Sequence, residues 1–290
     1  MVIATVVLAV FVGISLGLLG GGGSILTVPL LAYVAGMDAK QAIATSLLVV
    51  GTTSLVGAFS HARAGRVQWR TALLFGATAM LGAYGGGHLA AFIPGTVLLI
   101  AFAVMMVATA IAMLRGRKNT TAGAAKALPL AKIAAVGLGV GLVTGLIGAG
   151  GGFLLVPALV LLGGLPMPIA VGTSLVIIAM NSFAGFAGYL STVAINWQLA
   201  AMVIAAAVAG ALIGARFAGL VDPEVLRKGF GWFVLIMASV ILGEEIHPAV
   251  GFAGAAMTLV AAAVMFACTR FAACPLRRII GHSTRTAAAA

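Results

Sequence analysis

No charged side chain occurs between Met1 and Asp38, yet that stretch holds GLLGGGGSILTVP (Gly17–Pro29), with four glycines in a row. Glycine is the poorest helix former after proline. In hydrocarbon, an unwound backbone leaves N–H and C=O groups without partners. Such a segment is tolerated only where protein or a polar cavity surrounds it. The rest of the chain demands the same solvent. Charged residues make up 7% and hydrophobic residues 63%, with mean hydropathy +1.24. A soluble domain carries about a quarter charged residues, so this chain reads as an integral membrane protein.

Apolar segments of spanning length, about 20 residues, fall at 42–60, 72–92, 97–114, 168–189, 199–218, 225–243 and 249–268. Residues 2–36 and 133–165 are too long for one ordinary span, and both contain glycine runs. Residues 115–132, RGRKNTTAGAAKALPLAK, form a basic linker, and 269–290 a basic tail.

The chain repeats itself without gaps at the offset separating Gly17 from Gly145. GLLGGGGSILTVP aligns with GLIGAGGGFLLVP (145–157) and AIATSLLV (42–49) with AVGTSLVI (170–177). Trp69 aligns with Trp197, and Gly82 and Gly86 with Gly210 and Gly214. Charge decides how the copies are oriented. If each glycine segment crossed the membrane once, the basic loops would divide evenly between the two sides. If each dips in and returns, all but Lys40 of the 16 Lys and Arg residues share one side, as the positive-inside rule prefers.

The expected fold is therefore an all-α polytopic membrane protein of two inverted repeats. Residues 1–114 form one (hairpin 2–36, spans 42–60, 72–92 and 97–114). Residues 133–243 form the other (hairpin 133–165, spans 168–189, 199–218 and 225–243). Each is a glycine-tipped re-entrant hairpin plus three transmembrane helices, with one extra C-terminal helix at 249–268. The loops 61–70 and 115–132 and the C-terminal tail are expected in the cytoplasm, with the protein in a bacterial cytoplasmic (inner) membrane. The net charge of +11 then reflects these loops rather than nucleic-acid binding.

Inverted-repeat transporters place broken helices around their substrate. The tips Gly20, Gly21, Gly22 and Gly23, and Gly148, Gly150, Gly151 and Gly152, are thus candidate substrate-binding residues. Each tip precedes a short half-helix whose N-terminus offers free N–H groups to an anion. Ser24 can cap the first half-helix or donate its hydroxyl. Thr45, Ser46, Thr173 and Ser174, at the starts of equivalent helices, either bond back to backbone or line the cavity. Asn181 lies two turns beyond Ser174 on the same face, equivalent to Thr53. His88 and Arg216 occupy equivalent positions and are candidates for gating or coupling, or snorkel to the interface. Pro29 and Pro157 are expected to kink the half-helices.

The predicted spans hold no carboxylate, which favours an anionic cargo. No catalytic grouping, metal motif or Walker loop appears, so the chain reads as neither an enzyme nor a cofactor or metal binder.

The paired glycine motifs, each followed by a TSL triplet (45–47 and 173–175) and a tryptophan after a turn, resemble the TauE/SafE family of membrane permeases over roughly residues 5–245. The resemblance implies transport, often outward, of small sulfur-containing anions such as sulfite, sulfoacetate and other organosulfonates. The expected function is a secondary transporter or facilitative exporter of such an anion by alternating access. Its partners would be the anion, the lipid bilayer, a coupling proton or sodium ion, and a second copy in a homodimer. The alternatives are a permease for another small anion, such as a carboxylate, and a non-transporting membrane scaffold.

Overall fold

The computed structural model describes residues 2–19, 24–115, 130–148, 151, 155, 159, 165, 167–217, 223–247, 249, 251 and 253–258. Every regular element among them is helical. These are α1 (Val2–Leu19), α2 (Ser24–Val34), α3 (Ala39–Arg63), α4 (Trp69–Leu89), α5 (Gly95–Arg115), α6 (Leu130–Ile147), α7 (Met167–Tyr189), α8 (Trp197–Phe217) and α9 (Pro223–Glu245). Among the described residues, α3, Ile169–Tyr189 of α7 and α8 are long and apolar enough to cross a membrane. Ile3–Leu18, Ser24–Val34, Gly95–Ile111 and Ala134–Ile147 are shorter and also apolar. The linker between α5 and α6, most of the expected helix 249–268 and the tail 269–290 lie outside the described residues.

In α3 and α8 a polar residue just before the helix satisfies one of its first amides. The Asp38 carboxylate accepts from Lys40 N at 3.1 Å. The Asn196 side-chain oxygen accepts from Leu199 N at 3.1 Å. In α2, Pro29 lacks an N–H and crowds the preceding turn. The helix widens immediately after it into a π-turn over Leu30–Val34.

Glycines set the closest packing. Gly13 and Gly17 of α1 press on the backbone of Ala207 and Ala211 in α8, while Gly210 and Gly214 press on Val10 and Ile14. The same pattern recurs at the repeat offset. Gly141 and Gly145 of α6 press on Ala79 and Ala83 in α4, and Gly82 and Gly86 on Leu138 and Leu142. A Cβ at any of these eight positions would collide with a carbonyl oxygen. This is how small residues bring membrane helices together.

The paired numbers also give direction. They rise together for α1 with α8 and for α4 with α6, so each of these pairs is parallel. Between α3 and α7, Leu47 meets Gly185, Gly51 meets Ser182 and Phe183, and Gly57 meets Leu175. There the numbers run oppositely, and these two equivalent helices are antiparallel. At α5 and α9, the first residues Gly95 and Thr96 share a cavity with Glu245, the last residue of α9. That pair is antiparallel as well.

The bundle ends differ in charge. One end gathers Asp38, Lys40, the turn after α4 and Glu245. There the Lys40 ammonium donates to the Ala91 carbonyl at 2.8 Å, and the Tyr33 hydroxyl to Glu245 at 3.2 Å. The other end holds Arg63, Arg66, Arg70 and the end of α8 with Arg216.

Candidate functional site

The described part of the second glycine tip is built from α6. Gly148 N donates to the Thr144 carbonyl at 2.9 Å, closing the last turn. The chain then reverses through Gly148 and Gly151, with φ of 76° and 74°, a region other residues rarely enter. Both positions are crowded as well. A Cβ on Gly148 would strike Ile43, and one on Gly151 would strike Thr144. Beyond the reversal, Leu155 N donates to the Gly151 carbonyl at 2.9 Å, which restarts helical bonding.

Two buried polar side chains hold this tip. Ser46 Oγ of α3 lies 2.6 Å from the Gly148 carbonyl and 2.9 Å from its own Ile43 carbonyl. Asn181 Nδ2 of α7 donates to Thr144 Oγ1 at 2.8 Å. The Thr144 hydroxyl in turn donates to the Gly141 carbonyl at 3.0 Å. Tyr189 adds a third tie, its hydroxyl donating to the Leu146 carbonyl at 2.8 Å. Ser46, Thr144 and Asn181 are all buried. Three helices therefore converge on one reversed, glycine-lined turn. The turn lies beside the N-terminal third of α3, at Ile43–Ser46. α6 has 18 residues and so rises about 27 Å, most of the roughly 30 Å hydrocarbon thickness.

The other candidates are distributed around this core. Ser24 is buried at the start of α2. Thr45 is buried and its hydroxyl has no hydrogen-bond partner among the described residues. Ser174 Oγ donates to the Val171 carbonyl at 2.8 Å. Thr173 Oγ1 accepts from Gln68 N at 3.0 Å, so it ties the α3–α4 loop to α7. His88 and Arg216 are exposed near the C-terminal ends of α4 and α8. His88 packs edge-on to Phe92. Gly20, Gly21, Gly22, Gly23, Gly150, Gly152 and Pro157 lie outside the described residues.

The structure adds residues that the motifs did not single out. Thr144 is the hub between Asn181 and both described tip glycines, but its repeat equivalent is Leu16, so no repeat signal marks it. Ser54 and Ser182 are equivalent positions and both are buried with unpartnered hydroxyls among the described residues. Their equivalence was a usable signal. A cavity of about 340 Å³ at the Lys40 end is lined by Tyr33, Asp38, Thr96, Glu245 and neighbouring residues.

Comparison with known proteins adds a family to this geometry. The profile described as Sulfite exporter TauE/SafE matches residues 5–241. A probable membrane transporter protein of Xylella fastidiosa (strain Temecula1) is 34% identical over 237 residues, covering 80% of this chain and 91% of that protein. The probable membrane transporter protein YdhB of Bacillus subtilis is 28% identical, covering 77% and 93%. The probable membrane transporter protein MJ0441 of Methanocaldococcus jannaschii is 28% identical, covering 63% and 72%. No solved structure matches the chain.

Proposed function

The chain belongs to the sulfite exporter TauE/SafE family of membrane transporters, and on that premise we propose that it exports a small sulfur-containing oxyanion by alternating access of two inverted repeats. The repeats are residues 1–114 and 133–243, joined by the basic linker 115–132. The antiparallel run of the equivalent helices α3 and α7 supports inversion. A repeat related by an axis along the membrane normal would keep them parallel. The parallel run of α1 with α8, and of α6 with α4, supports hairpins that return to the side they entered. The segregation of Arg63, Arg66, Arg70 and Arg216 supports placing that end in the cytoplasm of a bacterial inner membrane.

One observation carries the site assignment. A buried hydroxyl and amide network, Ser46, Thr144 and Asn181, surrounds a glycine reversal that restarts a helix. In this reading the substrate binds against the backbone amides of the tip, with Ser46 and Asn181 beside it. Such donors suit an oxyanion. The first tip, 20–23, with Ser24, Thr173 and Ser174, would supply the matching half from the other repeat.

The test is thermal stability of the detergent-purified protein against sulfite, thiosulfate, sulfoacetate, taurine, sulfate, acetate and chloride at matched ionic strength. A ligand at about 100 times its dissociation constant adds roughly 2.7 kcal/mol. A selective shift with one sulfur oxyanion, lost in Asn181→Leu, is the expected result. A flat panel that stays flat in lipid nanodiscs sinks the assignment.

A further inference from the structure

Asn181 is 1% exposed, and the direction of its amide is fixed by its neighbour. The single Thr144 hydroxyl proton goes to the Gly141 carbonyl. Thr144 Oγ1 therefore faces Asn181 as an acceptor, and only the amino group of the amide can meet it. That leaves the carbonyl oxygen Oδ1 turned away, buried and without a hydrogen-bond partner among the described residues. A buried acceptor without a donor costs about 1–3 kcal/mol. Along the α3–α7 contact the other unpartnered groups are the Ser54 and Ser182 hydroxyls and, toward the arginine end where α3 packs on Gly172, His61 Nδ1. The cluster therefore holds donors for an oxyanion and one orphan acceptor. None of its members is cationic.

We infer that this site selects an oxyanion that still carries a hydrogen, a singly charged acid such as hydrogensulfite, over the fully ionised dianion. The inference rests on the function proposed above and names the ionisation state of the cargo. Two independent reasons converge. The Asn181 carbonyl needs a donor, and only the protonated species brings one. A site built from neutral dipoles also stabilises a dianion poorly, since the cost of taking a charge out of water grows with its square. The hydrogen of the ligand would go to Asn181 Oδ1, and its oxygens would accept from the Ser54 and Ser182 hydroxyls.

The experiment measures binding of sulfite to the purified full chain between pH 6 and 8, with methanesulfonate as the control. Methanesulfonate keeps one charge and offers no such hydrogen across that range. The expected result is an apparent affinity for total sulfite that falls about tenfold per pH unit above sulfite's second ionisation. Methanesulfonate should bind more weakly and show no slope. Asn181→Leu, or Asn181→Ala should the first fail to fold, should weaken sulfite binding and shrink its margin over methanesulfonate. Sulfite affinity that is independent of pH, or that rises with it, overturns the inference while leaving the transporter reading intact. Binding of no sulfur oxyanion at any pH removes both.

Discussion

The two ends of the bundle use equivalent residues differently. At the arginine end, the loop between α3 and α4 is clamped to α7. Gly172 sits against the Arg66 carbonyl, and Thr173 accepts from Gln68 N. At the Lys40 end, the equivalent pair is Asn196, in the loop between α7 and α8, and Thr45 of α3. There the Thr45 hydroxyl has no partner among the described residues. The residue before it is Ala44 rather than glycine, so a methyl group occupies the place where Gly172 admits a carbonyl. The helix interlock, by contrast, is matched position for position across the repeats. Helices keep the pseudosymmetry, and the loops break it. A twofold molecule with identical ends could not be closed on one side and open on the other. The difference at positions 44 and 172 gives the two ends unequal loop contacts.

The sharpest way to break the comparison is at the matched interlock. Gly82→Leu drives a side chain into the Leu138 carbonyl, and Gly210→Leu does the same at Val10. Each should cost stability at or above the top of the roughly 1–3 kcal/mol typical of overpacking. The two losses should be nearly equal in thermal unfolding of the purified protein. A large inequality would mean that the interlock is not shared equally by the halves. Gly172→Ala is the next step down, because it makes α7 imitate α3. Its Cβ would meet the Arg66 carbonyl oxygen, so the loop must lift. We expect a loss of about 1–2 kcal/mol and faster hydrogen exchange at Gln68 N. Unchanged protection of that amide would show that Gly172 is not what seats the loop.

The membrane environment and the helices were legible because both are written locally, in apolar run length. The duplication was legible because it needs no structure at all. Gly82, Gly86, Gly210 and Gly214 stood out as equivalent, but which helices they admit did not. That α1 seats on α8 rather than on its own repeat is a tertiary fact with no local signal. At the site, Asn181 and Ser46 stood out as polar residues at spaced positions in apolar helices. Thr144 did not, because a threonine between glycines in a membrane helix looks like one more small residue. Its role depends on the chain folding back so that Gly151 lies against its side chain. Thr173 and Thr45 look identical in sequence, and only the loop that reaches Thr173 tells them apart.

That pair gives the finest test. Thr173→Val keeps the shape and removes the acceptor, leaving the Gln68 amide without its bond. A net loss of about 1 kcal/mol is expected. Thr45→Val removes a buried hydroxyl that has no partner among the described residues. Relieving an unsatisfied polar group is neutral or slightly stabilising. Thermal unfolding of the two variants side by side should thus give opposite or clearly unequal shifts. Equal losses would show that Thr45 gains a partner in the conformation that dominates in solution. The Asn196 amide is the equivalent donor. In that case the clamp would have changed ends, and the asymmetry would belong to one state of the transporter rather than to its sequence.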